Sequence, residues 1–279
     1  MILDTIAAST RRRVAEAKRV CPEEKIRRLA ADSLAAPPTN LPGFSADSPL
    51  KAPFEAALAA PGLSFICEIK KASPSKGVIA EDFPYLDIAR AYEKAGAAAI
   101  SVLTEPEYFL GSDAYLREIA AMVSLPTLRK DFVVDTYQIY EAKVLGAAAV
   151  LLICALLEKD ALRAYIRAAH AIGLSALVET HTAEEAAAAI DAGARVIGVN
   201  NRDLHTFEVD LTTSARLRKM IPKNILFVSE SGICGREDVR VLEEIGADAA
   251  LIGETMMRAP DKADFLARLR GRHDKKDEN

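Results

Sequence analysis

The amino-acid sequence predicts an α/β protein, a (β/α)8 TIM barrel with an N-terminal helical extension. Eight short apolar runs follow one another from about residue 62, and longer stretches with apolar residues at helical spacing separate them. Four runs are preceded by Gly-Ala, and Gly96, Gly146, Gly193 and Gly246 lie 50, 47 and 53 residues apart. Each interval holds two strand-helix units, and eight such units over about 210 residues are typical of a closed barrel.

The predicted strands are, in chain order, LSFICEIK, AAISVL, LPTLRK, AAAVLLI, LSALVE, RVIGVN, NILFVSE and DAALIG. Helical spacing is clearest in DAYLREIAAMV (113–123), TYQIYEAKVLG (136–146), AEEAAAAIDAG (183–193) and REDVRVLEEIG (236–246). The alternative fold, an open doubly wound sheet, normally carries a G-x-G-x-x-G turn after an early strand. The sequence has no such turn, which favours the closed barrel.

The chain divides into three predicted parts. Residues 1–50 form a helical extension and linker, residues 51–270 the catalytic barrel, and residues 271–279 a charged tail that we expect to be disordered. In the extension, Asp4 is the expected cap of a first helix, and Pro22 with two following glutamates resembles the first turn of a second. The segment AAPPTNLPGFSADSP is typical of an irregular linker.

Composition narrows the classes of function. The 279 residues are 50% hydrophobic and 27% charged, and a net charge of -4 argues against a general electrostatic grip on nucleic acid. The four cysteines lie far apart without C-x-x-C spacing, so neither a zinc site nor a disulfide framework is indicated. With no signal peptide and no apolar stretch of roughly 18 residues, we expect a cytoplasmic protein that binds neither nucleic acid nor membranes.

Polar residues stand at the carboxyl ends of the predicted strands, where barrels of this class carry their active sites. Glu68 and Lys70 end the first run and point the same way, because side chains two residues apart share a face of a strand. Later runs end with Lys130, Glu179, Asn200, Arg202, Glu230 and Ser231. A salt bridge or cap explains any single one, but their convergence favours an active site in which Lys and Glu act as general acid and base.

Glycines after the last two runs indicate a phosphate site. SESGI (229–233) and LIGET (251–255) place Gly232 and Gly253 where backbone amides commonly hold phosphate, and Ser231 adds a hydroxyl donor. Either glycine alone also fits a turn that needs only backbone freedom. The sequence lacks a carboxylate-histidine metal pattern, and we expect no metal role for its four histidines, His170, His181, His205 and His273.

Several stretches resemble the indole-3-glycerol phosphate synthase family of tryptophan biosynthesis. They are, in family order and spacing, CEIKKASPSKG, SVLTEPEYFLGS, LPTLRKDFVVD, AAAVLLI, LVETH, IGVNNRDLHTFEVD, VSESGI and LIGETMMR. The N-terminal ILDTIAASTRRRVAEAK resembles the helical extension of that family. The resemblance implies a lyase that converts 1-(2-carboxyphenylamino)-1-deoxyribulose 5-phosphate, a small anionic sugar phosphate, to indole-3-glycerol phosphate with loss of carbon dioxide and water. It implies no metal or organic cofactor, and transient contact with other tryptophan-pathway enzymes.

The resemblance also implies a role for each polar residue. Lys130 is the general acid that protonates the substrate carbonyl, and Glu179 is the base that assists dehydration, with Glu68 and Asn200 as its polar partners. Lys70 faces the substrate carboxylate or, in an alternative assignment, is the acid of the dehydration step. The implied catalytic residues are Glu68, Lys70, Lys130, Glu179, Asn200 and Ser231.

Further residues are implied to bind the substrate. The apolar ones form a flat slot for the anilino ring, and the set is Ser73, Leu103, Phe109, Phe132, Leu151, Ile153, Arg202 and Glu230. The implied phosphate-binding residues are Ser231, Gly232, Gly253 and Glu254. Glu254 stands where some relatives have Ser, so we expect it to contribute its backbone amide. The KKASPSKG loop is expected to close over the substrate, with Gly77 as a hinge.

Three other functions stay open at the level of sequence. One is a Schiff-base aldolase that uses Lys130 or Lys70 on a sugar phosphate. Another is a sugar-phosphate isomerase of the same fold. The third is a catalytically silent barrel that only binds phosphate.

Overall fold

Eight parallel strands form the closed barrel of the protein in a computed structural model that describes residues 2–33, 52–203 and 206–272. The strands are β1 (Ser64–Ile69), β2 (Ala99–Leu103), β3 (Thr127–Lys130), β4 (Ala149–Ile153), β5 (Ser175–Thr180), β6 (Val196–Asn200), β7 (Leu226–Glu230) and β8 (Ala249–Ile252). Each strand pairs with its neighbours in the chain, and β8 closes onto β1 with Ser64 opposite Ala249. All eight predicted runs are therefore strands, and the TIM barrel is confirmed.

Helices connect the strands and cover the outside of the barrel. They are α4 (Tyr85–Lys94), α5 (Asp113–Met122), α6 (Tyr137–Val144), α7 (Lys159–Ala171), α8 (Ala183–Asp191), α9 (Thr212–Arg218), α10 (Arg236–Glu244), α11 (Glu254–Arg258) and α12 (Lys262–Leu269). Gly96, Gly146, Gly193 and Gly246 follow α4, α6, α8 and α10 with φ between 71° and 90°, the left-handed conformation that ends a helix and favours glycine. In the described parts of the chain, no helix is long and apolar enough to cross a membrane.

The extension forms two helices, α1 (Ile2–Val20) and α2 (Glu23–Asp32). The prediction that Asp4 caps the first helix is wrong, because α1 begins at Ile2 and Asp4 lies in its first turn. Leu3 and Ile6 are buried, so packing extends the helix past the expected cap. The second helix begins directly after Pro22, as predicted. The predicted linker and residues 273–279 of the tail lie outside the described residues.

Two apolar layers separate the inside of the barrel from its outside. Alternate strand residues such as Ile66, Leu128 and Leu177 fill the interior, and their chain neighbours pack against the helices. Helix α3 (Pro53–Leu58) precedes β1 and supplies two fully buried side chains, Phe54 and Leu58, to the interior cluster. Side chains two or four residues after an interior residue on the same strand point to the same side of the sheet. They therefore also point into the barrel, near the carboxyl ends of the strands.

Candidate active site

A cavity of about 570 Å3 opens at the carboxyl ends of the strands. Its wall includes every residue for which the sequence predicted a catalytic or binding role: Glu68, Lys70, Ser73, Leu103, Phe109, Lys130, Phe132, Leu151, Ile153, Glu179, Asn200, Arg202, Glu230, Ser231, Gly232, Gly253 and Glu254. The strand residues among them lie an even number of positions from interior residues, and this parity brings them together. Their roles in a reaction remain predictions.

Lys130 is the centre of a buried charge cluster. Its Nζ lies 3.4 Å from Glu179 Oε2 and 3.8 Å from Glu230 Oε2, and the two carboxylate side chains are only 3% and 2% exposed. On β1, Lys70 Nζ donates to Glu68 Oε1, so the two charges that share a strand face form the expected pair. The cluster thus combines two lysines and three glutamates from four strands.

Mutual charge sets the protonation of this cluster. Burial lowers the pKa of Lys130, but the carboxylates of Glu179, Glu230 and Glu68 outweigh burial and raise the pKa above its ordinary value. Burial raises the pKa of Glu68 and Glu179, but nearby cations, chiefly Lys70 for the former and Lys130 for the latter, outweigh it and lower both. Glu230 differs, since burial and the Glu179 charge raise its pKa to about 8.

Asn200 connects the charge cluster to the loop after β6. Its Nδ2 donates to Glu179 Oε1 at 3.2 Å, and its Oδ1 accepts from the backbone N–H of Arg202 at 3.1 Å. Arg202 Nη1 then donates to the carbonyl of Phe207 at 3.0 Å, and an isolated antiparallel bridge pairs Arg202 with Val209. These contacts hold the predicted carboxylate-binding arginine on the cavity wall.

Apolar residues form one side of the cavity. The rings of Phe109 and Phe132 lie 5.9 Å apart at 40°, beside the buried side chains of Leu103, Leu151 and Ile153. This side offers the flat apolar surface that an aromatic ring requires, close to the charged cluster.

The loop that carries Phe109 is fixed by a residue that the sequence did not single out. The carboxylate of Glu105, which is fully buried, accepts from the backbone N–H groups of Glu107, Tyr108 and Phe109 at 2.7–3.1 Å. The sequence TEPEYF does not reveal this role, because a glutamate in such a segment is equally consistent with an exposed loop. The turn depends on burial of the Glu105 carboxylate in the folded protein, where it must find hydrogen-bond donors.

The predicted phosphate region lies on another side of the cavity. Ser231 and Gly232 both have positive φ, 66° and 85°, and a Cβ on Gly232 would lie 2.5 Å from Val209 Cγ1. Asn201 Nδ2 donates to the carbonyl of Ser231 at 3.1 Å. Gly253 permits close approach to the charge cluster, since a Cβ there would lie 2.4 Å from Glu68 Oε1.

The loop after β1 lines the cavity and contacts the segments that follow β2 and β8. Residues Ala72–Ser73 pair with Gly77–Val78 in a short antiparallel hairpin, and Ala72 N–H donates to the carbonyl of Phe109 at 3.2 Å. Lys76 Nζ lies 3.8 Å from Glu254 Oε2. The loop therefore contacts both the apolar side and the predicted phosphate side of the cavity.

Helix α1 also contributes to the site, which the sequence did not predict. Ile2, Leu3 and Ile6 line the cavity, and Arg13 Nη2 lies 3.0 Å from Asp131 Oδ1. Asp131 directly follows Lys130, so this ion pair ties the extension to the strand that carries the predicted acid. The apolar spacing in MILDTIA was the available signal, but it does not reveal which surface the helix covers.

Comparison with known proteins assigns the family. The indole-3-glycerol phosphate synthase family matches residues 3–269. Indole-3-glycerol phosphate synthase of Ruminiclostridium cellulolyticum is 55% identical over 97% of this chain and 99% of its own length, and that of Lachnoclostridium phytofermentans is 47% identical over 97% and 99%.

Solved structures show the same barrel at low sequence identity. 3-Hexulose-6-phosphate synthase from Salmonella typhimurium has a TM-score of 0.62 at 15% identity and covers 76% of this chain and 100% of its own. A Pyrococcus furiosus tryptophan synthase structure has a TM-score of 0.56 at 16% identity, over 75% and 98%. These likenesses concern the fold alone, whereas the match at 47–55% identity over nearly the full length shows that the chain belongs to the indole-3-glycerol phosphate synthase family.

Proposed function

We propose that the charge cluster at the carboxyl end of the barrel catalyses the reaction of this family in tryptophan biosynthesis. The substrate is 1-(2-carboxyphenylamino)-1-deoxyribulose 5-phosphate, and the products are indole-3-glycerol phosphate, carbon dioxide and water. The observation that carries the proposal is Lys130, a partly buried cation held between Glu179 and Glu230, beside an apolar wall that suits the anilino ring.

In the proposed ring closure, Lys130 is the general acid. The anilino ring carbon attacks the sugar carbonyl, and the carbonyl oxygen takes the proton of Lys130. The charges of Glu179 and Glu68 raise the pKa of Lys130, so the side chain enters the reaction protonated at neutral pH. A partly dry cavity strengthens its interaction with negative charge developing on that oxygen.

In the proposed dehydration, Glu179 accepts a proton from the substrate. Its pKa is lowered, because the charge of Lys130 and the hydrogen bond from Asn200 outweigh burial, so it is present as carboxylate. Lys70 and Glu68 form the second acid-base pair of the cavity. Under this proposal Lys70 either binds the substrate carboxylate or protonates the departing hydroxyl. In the first case Lys70→Ala should raise KM, and in the second it should lower kcat.

Binding groups surround these reacting groups. The Phe109 and Phe132 side holds the ring, and Arg202 neutralises the substrate carboxylate before it leaves as carbon dioxide. The phosphate takes the backbone amides around Gly232 and Gly253. Placing the three substrate groups at separate walls supports one orientation in the cavity.

The test is direct conversion of the carboxyphenylamino-deoxyribulose phosphate by purified protein, followed by indole absorbance and fluorescence with EDTA present. Wild type should form the indole product, and Lys130→Ala should lose about 10²-fold or more in kcat while remaining folded. Lys159→Ala is the matched control, because Lys159 pairs with Asp191 on the protein surface and both side chains are more than half exposed. A loss below tenfold for Lys130→Ala would reject its role as acid.

The same samples test the other functions. A Schiff-base aldolase needs a neutral lysine, but the pKa of Lys130 is raised by its carboxylate neighbours, which disfavours that chemistry. Borohydride in the presence of substrate should therefore trap no covalent adduct. An adduct on Lys130 or Lys70 would support the aldolase. Isomerisation of the sugar phosphate without formation of the indole product would support the isomerase. Phosphate binding without any turnover would support the silent barrel.

The wider setting of the activity belongs to the same proposal. Residues 51–270 are the catalytic barrel, and residues 1–50 are an extension whose helix α1 lines the cavity. A net charge of -4 and four free cysteines support a cytoplasmic enzyme of a small anionic sugar phosphate. Other tryptophan-pathway enzymes are its proposed transient partners.

A further inference from the structure

His181 lies directly after β5, next to Glu179, and does not itself line the cavity. Its Nε2 is 3.6 Å from Glu179 Oε1, and its Nδ1 is 3.4 Å from Glu185 Oε2. The side chain is 13% exposed, and both ring nitrogens are buried without a hydrogen-bond partner among the described residues. The imidazole therefore stands between two carboxylates with which it interacts through charge.

The corner between β5 and α8 fixes this arrangement. Glu185 Oε2 accepts from the backbone N–H of His181 at 2.6 Å, and Thr182 Oγ1 accepts from the backbone N–H of Glu185 at 3.2 Å. Thr182 is the N-cap of α8, so Glu185 is held in the first turn of that helix. The segment ETHTAEE thus supplies the strand-end carboxylate, the imidazole and the outer carboxylate together.

The charges around His181 favour its protonated form. Burial lowers the pKa of His181, but Glu185, Glu179 and Glu230 outweigh burial and raise it. Cys154 Sγ donates to the carbonyl of Glu185, and burial with the nearby carboxylates raises the pKa of that thiol to about 12, so it stays neutral. His181 is therefore the residue of this corner whose positive charge the carboxylates favour.

The groups that face Glu179 from the cavity explain why a second cation matters. Lys130 approaches it from β3, and the carboxyls of Glu68 and Glu230 lie beyond Lys130 in the same cluster. When Lys130 gives its proton to the substrate, Glu179 loses its nearest positive charge inside the cavity. The negative charge of Glu68 would then favour protonation of Glu179 before Glu179 has acted as base.

We propose that His181 is a positioning residue for Glu179: held by Glu185, it keeps the Glu179 carboxylate charged and oriented toward the substrate from outside the cavity. The inference rests on the proposed function of Glu179 as base. It adds a residue that does not line the cavity and acts through another side chain.

The first measurement needs no substrate. The imidazole resonances of the four histidines are titrated by NMR in the ligand-free full chain, and His181→Asn assigns the signal. In Glu179→Gln and in Glu185→Gln, the pKa of His181 should fall by about one unit, since a charge within 4–6 Å shifts a pKa by about that much or more. An unchanged His181 titration in folded Glu179→Gln would overturn the coupling.

The second measurement is the pH dependence of kcat in His181→Asn. The acidic limb should move upward by about one pH unit, so that kcat falls by up to about tenfold at pH values below the wild-type limb, while kcat above pH 8 changes little. His181→Lys restores a cation and should recover part of the shift. His170→Asn is the matched control, because burial lowers the pKa of His170 to about 4 and it lies on α7 away from Glu179.

The outcomes separate this inference from the proposed function. An equal loss of kcat at every pH in His181→Asn would assign His181 a structural role and overturn the inference. If Glu179→Gln retained full activity while the histidine titration still shifted, Glu179 would not be the base, and the coupling would serve stability alone. An upward shift of the acidic limb together with the NMR shift supports both.

Discussion

Gly198 offers a test of the charge cluster that changes none of its members. It lies on β6, and a Cβ at this position would be 2.1 Å from Glu230 Oε1 and 3.2 Å from Leu177 Cδ1. Because Cβ contacts below 3.0 Å essentially never occur, Gly198→Ala must displace the Glu230 carboxylate by at least about 0.9 Å. Glu230 is only 2% exposed, so the displacement is confined to the cluster around Lys130.

The expected effect follows from this displacement. A misplacement of about 1 Å within an active site can cost about 10²-fold in rate, which corresponds to about 2.7 kcal/mol of transition-state stabilisation. Insertion of a methyl group into a packed interior should also lower the free energy of unfolding by about 1–3 kcal/mol. The loss of rate should fall on kcat, because the phosphate and ring walls are untouched.

The assay is initial-rate formation of the indole product, with urea unfolding measured on the same preparations. Gly235→Ala is the matched control, because a Cβ there meets no atom within 4 Å and its φ of -154° is open to any residue. A folded Gly198→Ala protein with kcat within threefold of wild type would refute the argument that the position of Glu230 matters for turnover.

Four further predictions address other parts of the structure. The pKa of Glu230 is about 8, above its ordinary 4.5, so the native state holds a proton that the unfolded chain releases. The wild-type protein should therefore lose stability as the pH rises from about 5 to 8. The Tm of Glu230→Gln, measured relative to wild type, should rise over the same range. Asn201→Ala removes the donor to the Ser231 carbonyl, so KM should rise about tenfold with a smaller change in kcat, measured by steady-state kinetics. Glu55→Ala should cost about 2 kcal/mol in denaturant unfolding with kcat unchanged, because Glu55 pairs with Arg195 at the end of the barrel opposite the cavity. Hydrogen exchange of residues 71–79 should slow with a saturating substrate analogue; unchanged exchange would argue against closure of this loop.

The sequence by itself determined the barrel and the strand-end residues that meet in its cavity. Two periodicities, one for strands and one for helices, are local properties of the chain, and their repetition leaves few topologies. The parity of β-strands then decides that Glu68 and Lys70 lie on the interior side, because Ile66 two residues earlier is buried there. The family motifs added the reaction, which periodicity does not contain.

Only the tertiary structure decided the electrostatic state of the site and the residues that support it. The raised pKa of Glu230 and the lowered pKa of Glu179 arise from distances between different strands, which no local pattern encodes. Asp4 failed as a cap because Leu3 is buried and extends the helix, a choice made by packing over local propensity. The sequence already shows Glu179 and Glu185 beside His181 in ETHTAEE, but only the folded turn from β5 into α8 buries the imidazole and brings both carboxylates within 4 Å of it. Burial and the distances between side chains, which the order of residues does not contain, set the charge around such a group.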